Sequence, residues 1–333
     1  MNLKRFFALC LFTFTLILAI ASCNPNSNSG GSTIAIGSKN FTEQDVLGEL
    51  LAQQIEATTG LKVDRRLHLG GTFVCHEALL AGKIDAYIEY TGTAFTAVLK
   101  QNTISDPKSI YQQVKQAYAK QFSLEVTQPL GFNNTFAMIV RGEDARRLNL
   151  QTLSQATQYT PQWRAGFGYE FVERPDGFPG LAKTYGIHFA ESPRVMDLGL
   201  IYRALIQKQV DVVAGNSTDG QIARLGLVAL KDDKHYFPPY EAAPIVRQQT
   251  LAKYPKIRQA LQQLGGLITE TEMRRLNYLV EGEMRDVKEV VREFRQSKGL
   301  VKDSLLTNSW QSRSIAVGLD SKTPIMREAS SQN

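Results

Sequence analysis

The chain has 333 residues, 43% hydrophobic and 21% charged, which excludes global disorder and gives length enough for a body divided into two lobes. Its 38 Lys and Arg against 32 Asp and Glu give a formal charge of +6, and setting aside Lys4 and Arg5, which precede the first apolar run, leaves about +4. That bias is too weak for a nucleic-acid surface, so DNA and RNA are excluded as partners.

The start reads as secretory-signal anatomy: Lys4-Arg5, an apolar stretch from Phe6 to Ala19, then Ile20-Ala21-Ser22-Cys23. The uncharged run only just reaches the length that spans hydrocarbon, and small residues before a cysteine favour processing. The tetrad resembles a bacterial lipobox, which implies cleavage after a signal of residues 1–22 and lipidation of Cys23. Residues 24–31 are Asn, Pro, Ser and Gly, so 23–32 read as a flexible tether. With Cys10 in the signal, Cys75 is the one cysteine of the body and no intramolecular disulfide is available. It reads as a small buried hydrophobe.

In the body, Thr33–Gly37 reads as a strand, Ser38–Thr42 as a polar loop, and Val46, Leu47, Leu50, Leu51 and Ile55 as the apolar face of a helix. Leu61–Val63 with Leu67 suggests a second strand, Gly70-Gly71-Thr72 a tight turn, Phe73–Ala81 a second helix and Ile84–Tyr90 a third strand. Strands alternating with helices point to α/β architecture with a largely parallel sheet. Phe136–Val140 reads as a strand, Trp163–Glu170 as a lower-order stretch, Gly199–Leu205 as helix and Val210–Ala214 as strand. Asp85 and Asp211 each follow a short helix and turn, so one theme occurs twice, as two similar lobes would give. From Ile257 to Phe294 the pattern is helical, with Leu276, Leu279, Val280, Met284, Val287, Val290, Val291 and Phe294 as a core-packing stripe. The end, 303–333, is a polar tail with little to bury.

Catalytic signatures are absent. There is no phosphate loop, no complete dinucleotide fingerprint, no Gly-x-Ser-x-Gly elbow and no His-Glu-x-x-His. The four histidines have no zinc-ligand spacing with cysteines, and His76-Glu77 reads as a partly exposed helical pair. No metal or cofactor is implied. What stands out is polar and aromatic residues at the ends of predicted strands, where α/β sheets place ligands.

Gly37-Ser38-Lys39-Asn40-Phe41-Thr42-Glu43-Gln44, Leu69-Gly70-Gly71-Thr72, Ile84-Asp85-Ala86-Tyr87-Ile88-Glu89-Tyr90-Thr91-Gly92-Thr93 and Phe132-Asn133-Asn134-Thr135 resemble the glycine betaine/choline-binding proteins of osmoprotectant ABC transporters. Arg174-Pro175-Asp176-Gly177, Ser217-Thr218-Asp219-Gly220 and Pro238-Pro239-Tyr240 continue the match in order, from Thr33 to Val301. The resemblance implies an α/β, periplasmic-binding-protein-like fold of type II with two lobes around a central ligand cleft. Lobe 1 is then 33–136 plus 241–302 and lobe 2 is 137–240, inserted into it.

It also implies a site. A trimethylammonium group has no N–H to donate, and aromatic faces attract it at up to about 2 kcal/mol per ring when desolvated. Tyr90, Phe136 and Tyr240 fall on aromatic cage positions. The fourth cage position, usually Tyr, is Asn216, which offers an amide and no π face. Lys39, Thr93 and Arg174 would meet a ligand carboxylate, with Asn134 beside them. The implied function is extracytoplasmic capture of glycine betaine or a related quaternary ammonium osmolyte by a lipid-anchored monomer, for an ABC permease with separate ATPase subunits. Choline, carnitine or another small zwitterion is the alternative ligand, and a secreted enzyme on a binding-protein fold is the alternative of another class.

Overall fold

The computed structural model describes residues 33–301. The signal, Cys23, the tether and the polar tail lie outside the described residues. Ten strands form two five-stranded sheets: β1 (Thr33–Lys39), β2 (Lys62–Gly70), β3 (Ala86–Tyr90), β4 (Leu124–Val126), β5 (Phe136–Arg141), β6 (Ala165–Phe167), β7 (Arg194–Val195), β8 (Val212–Asn216), β9 (Leu227–Leu230) and β10 (Ala242–Arg247). The first sheet has the order β2-β1-β3-β10-β4 and the second β7-β6-β8-β5-β9.

Neither sheet is wholly parallel. β1 pairs in parallel with β2 and β3, but β10 runs antiparallel to β3 and β4; in the second sheet β6 is parallel to β7 and β8, while β5 is antiparallel to β8 and β9. The two reversed strands, β5 and β10, are those with which the chain enters the second sheet and returns to the first. They carry the chain the opposite way through each sheet, which an α/β alternation pattern does not reveal.

The repeated aspartate theme has a structural counterpart. Asp85 Oδ2 accepts from the Ala35 amide at 2.9 Å and Asp211 Oδ2 from the Arg164 amide at 3.0 Å. The Asp85 and Asp211 amides return bonds to the Ala35 and Arg164 carbonyls at 2.6 and 2.7 Å. Each aspartate thus ties the start of one strand to a neighbouring strand, once per lobe.

The Thr42–Thr59 helix buries Val46, Leu47, Leu50, Leu51 and Ile55 against the first sheet, carries Glu43 and Asp45 at its positive end, and stops at Gly60, whose φ of 74° a Cβ disfavours. The predicted helical stretch 257–294 divides into Lys256–Gln262, Glu270–Glu281 and Val287–Ser297. Leu276, Leu279, Val290, Val291 and Phe294 join the core of the first lobe. Met284 does not: it is 78% exposed in the turn between the last two helices, where a φ of 56° swings it out of the stripe. The low-order reading of Trp163–Glu170 is also corrected, since β6 lies there between β7 and β8; it is three residues long with Gly166 at its centre, which dilutes its strand signal. Cys75 is fully buried, and burial pushes its thiol up to about 12. His76 is buried, not partly exposed, edge-on to Tyr118 and Phe122, and burial lowers its pKa. Among the described residues no helix is long and apolar enough to cross a membrane.

Candidate ligand-binding site

A cavity of about 650 Å³, counted with its open mouth, lies between the two sheets. Lys39, at the end of β1, and Tyr90, at the end of β3, reach it from the first sheet; Asn216, at the end of β8, reaches it from the second. Thr93 follows β3 in a short helical turn, Asn134 and Phe136 lie at the first crossing, Arg174 follows the Tyr169–Glu173 helix, and Tyr240 precedes β10. All eight residues singled out in the sequence line this one space. Phe41, Tyr169, Glu170 and Phe171 line it as well.

The two basic side chains are neutralised by buried acids. Lys39 Nζ lies 2.5 Å from Glu89 Oε1, and both side chains are almost wholly buried. Arg174 Nε and Nη2 donate to the two Asp176 oxygens at 2.9 and 2.6 Å. Burial pushes the Asp176 carboxyl up, but the Arg174 charge and hydrogen bonds outweigh that and hold it below the usual range. Both cations also sit on rings: Lys39 Nζ is 4.5 Å from the Tyr90 centroid and Arg174 Cζ 4.9 Å from that of Phe136. These faces therefore already serve as cation-binding surfaces.

The rings are held in place by their edges. Tyr90 Oη donates to Glu43 and Tyr240 Oη to Asp176, each at 2.6 Å, and burial raises both phenols well above their ordinary pKa. Phe136 meets Phe171 and Tyr240 edge-on at centroid distances of 4.9 and 5.9 Å. Tyr240 packs on Gly92, where a Cβ would come within 2.7 Å of its ring, so the glycine of the Thr91-Gly92-Thr93 run is a packing requirement.

Three of the contacts beside the cavity run from one lobe to the other: Arg174 Nη2 donates to Thr93 Oγ1 at 3.1 Å, Thr218 Oγ1 to Glu43 Oε2 at 2.5 Å, and the Gly71 amide to Tyr169 Oη at 3.1 Å. Glu43 also accepts from Asn134 Nδ2 at 2.8 Å and Asn277 Nδ2 at 2.9 Å. Burial pushes its carboxyl above the ordinary range against the pull of these bonds. The Asn134 side chain is thus engaged within the protein, with Oδ1 accepting from Ser217 Oγ at 3.4 Å. Asn216 is oriented by Asp219, which accepts its backbone N–H at 2.8 Å and its Nδ2 at 3.3 Å.

Sequence reasoning named the surfaces, and the structure adds the groups that support them. Glu43, Glu89 and Asp176 stand inside the quoted motifs, and the fold shows that they hold Tyr90, Lys39 and Arg174. Glu170 stands in the polar and aromatic run Tyr169-Glu170-Phe171, which by itself gave it no role.

Residues 32–297 match the family described as the substrate-binding domain of ABC-type glycine betaine transport systems. The chain is 36% identical over 298 residues to a carnitine transport binding protein of Listeria monocytogenes, covering 88% of this chain and 96% of that one. It is 32% identical over 299 residues to a glycine-betaine-binding protein of Pseudomonas aeruginosa, covering 87% and 95%. A crystal structure of a glycine betaine/carnitine/choline ABC transporter superposes with a TM-score of 0.66 at 33% identity, over 80% of this chain and 98% of the other. The family match spans both sheets and every residue of the cavity, and the chain belongs to the substrate-binding domains of ABC-type glycine betaine transport systems.

Proposed function

We propose that this protein captures a small quaternary ammonium compound, glycine betaine or a relative such as choline or carnitine, by closing two lobes on it. The observation that carries the reading is the gathering of Tyr90, Phe136 and Tyr240 with Lys39 and Arg174 around one cavity between the lobes. The rings supply faces for a trimethylammonium group, which cannot be held by donated hydrogen bonds, and shed water from its methyls. Arg174 Nη1 is 3.9 Å from Glu170 Oε2, beyond hydrogen-bond reach, and its N–H groups with those of Lys39 are the donors for a ligand's polar end. Asn134 acts through Glu43 to set Tyr90, and Asn216 offers an amide where the family usually has a ring.

Residues 33–136 with 241–302 form one lobe in this reading and 137–240 the other, joined at the crossings next to Phe136 and Tyr240. A ligand touching both lobes favours the closed arrangement by its extra contacts there. The closed monomer then meets an ABC permease served by separate ATPase chains, outside the cytoplasm, held to a membrane by lipid on Cys23. The ligand leaves unchanged, since the site binds without reacting.

A thermal-shift screen of trimethylammonium compounds followed by calorimetric titration tests this. A ligand that binds only the folded state raises the melting temperature, by the equivalent of about 2.7 kcal/mol at a hundred times its Kd. No shift and no heat with any such compound at millimolar concentration would overturn the reading, and chemical conversion of the bound compound would move it to the enzyme class.

A further inference from the structure

The charges around the cavity do not balance. Among the described residues lining it, three side chains are charged: Lys39, Arg174 and Glu170. Lys39 is neutralised by Glu89 at 2.5 Å and Arg174 by Asp176 through two bonds. Glu170 has only a long ion pair with an Arg174 already bonded to Asp176: Oε2 stands 3.9 Å from Arg174 Nη1, and Oε1 is buried with no hydrogen-bond donor. Gly71 lies close against it from across the seam, where an added Cβ would come within 2.4 Å of Oε1, while the Gly71 amide is already taken by Tyr169. A desolvated carboxylate oxygen without a donor is costly, and a ligand that brings positive charge or an N–H or O–H removes the cost.

We propose that Glu170 sets the cavity's choice between net-cationic and zwitterionic quaternary ammonium ligands, favouring the cationic ones. The inference rests on the quaternary ammonium reading above. A cationic ligand leaves the cavity's formal charges balanced. A zwitterion brings its own carboxylate towards Arg174 and there meets the Glu170 carboxylate beside it, a like-charge contact that weakens binding. Glu170 contributes no ring and no covalent chemistry; its part is the sign of the field at the polar end of the site.

Calorimetric titration of the wild type, Glu170→Gln and Glu170→Asp with choline and with glycine betaine tests it. Glu170→Gln keeps the shape and removes the charge: choline should bind about tenfold more weakly while betaine holds or tightens, from the Coulomb energy of unit charges a few ångströms apart. Glu170→Asp keeps the charge and should keep the wild-type order of preference. Equal weakening of both ligands by Glu170→Gln, or loss of betaine binding alone, would show a mere packing contact and overturn the proposal. Failure of the wild type to bind either compound would overturn the quaternary ammonium reading itself and this inference with it, so the two failures are told apart by the wild type.

Discussion

Replacing Asp176 by Asn leaves the shape of the site and removes the charge on which Arg174 depends. The Asp176 carboxylate is buried and accepts three hydrogen bonds, from Arg174 Nε at 2.9 Å, Arg174 Nη2 at 2.6 Å and Tyr240 Oη at 2.6 Å. Asn offers one acceptor in place of two and turns N–H groups towards N–H groups, leaving a guanidinium only 3% exposed without a hydrogen-bonded counter-ion, its one remaining carboxylate, Glu170, at 3.9 Å. Removing one partner of such a buried pair costs about 3–5 kcal/mol, so the urea midpoint should fall steeply at pH 7. Asp176 titrates below its ordinary range in the folded protein. Its stabilisation is therefore present above the unfolded-state pKa and is lost as pH falls through the native one, so the gap between wild type and variant should close in acid. The double variant Arg174→Met with Asp176→Leu removes both charges and should regain most of the stability without regaining ligand binding. A loss under about 1 kcal/mol for Asp176→Asn, or a gap that persists in acid, would refute the account of this pair.

Three further outcomes follow from the geometry. Gly71→Ala is compatible with the local backbone, φ −76°, but its Cβ would meet Tyr169 Oη and Glu170 across the seam; titration should show affinity lower by about tenfold or more with the ligand-free melting temperature unchanged, because only closure is obstructed. Asn216→Tyr adds an aromatic face beside Phe41 and Leu198 and should tighten trimethylammonium binding by about 0.5–2 kcal/mol, and unchanged affinity would place residue 216 outside the cage. Burial and the nearby Asp219 raise the Glu281 carboxyl from 4.5 to about 7. The native state therefore keeps this proton after the unfolded chain has lost it, stability falls as pH rises across that window, and Glu281→Gln should gain on the wild type over the same range in urea titrations.

The sequence by itself determined what is local or rhythmic. The apolar period of Val46 to Ile55 is a helix because one face must be buried, and the paired aspartate themes at Asp85 and Asp211 announced two similar lobes because the same strand tie is used twice. Lys39 and Tyr90 were legible as strand-end residues, where α/β sheets collect ligand-facing side chains, and the rest of the cavity residues came from the resemblance of their motifs to a known family. Tertiary structure decided which groups are free. Lys39 meets Glu89 across 50 residues and Glu43 meets Asn277 across 234, pairings that no local pattern encodes. It also decided the reversed direction of β5 and β10, the strand at β6 hidden by its glycine, and the exposed turn that takes Met284 out of an otherwise regular stripe. The donorless oxygen of Glu170 belongs to the same class: it is buried in the folded chain with Gly71, from the other lobe, close against it.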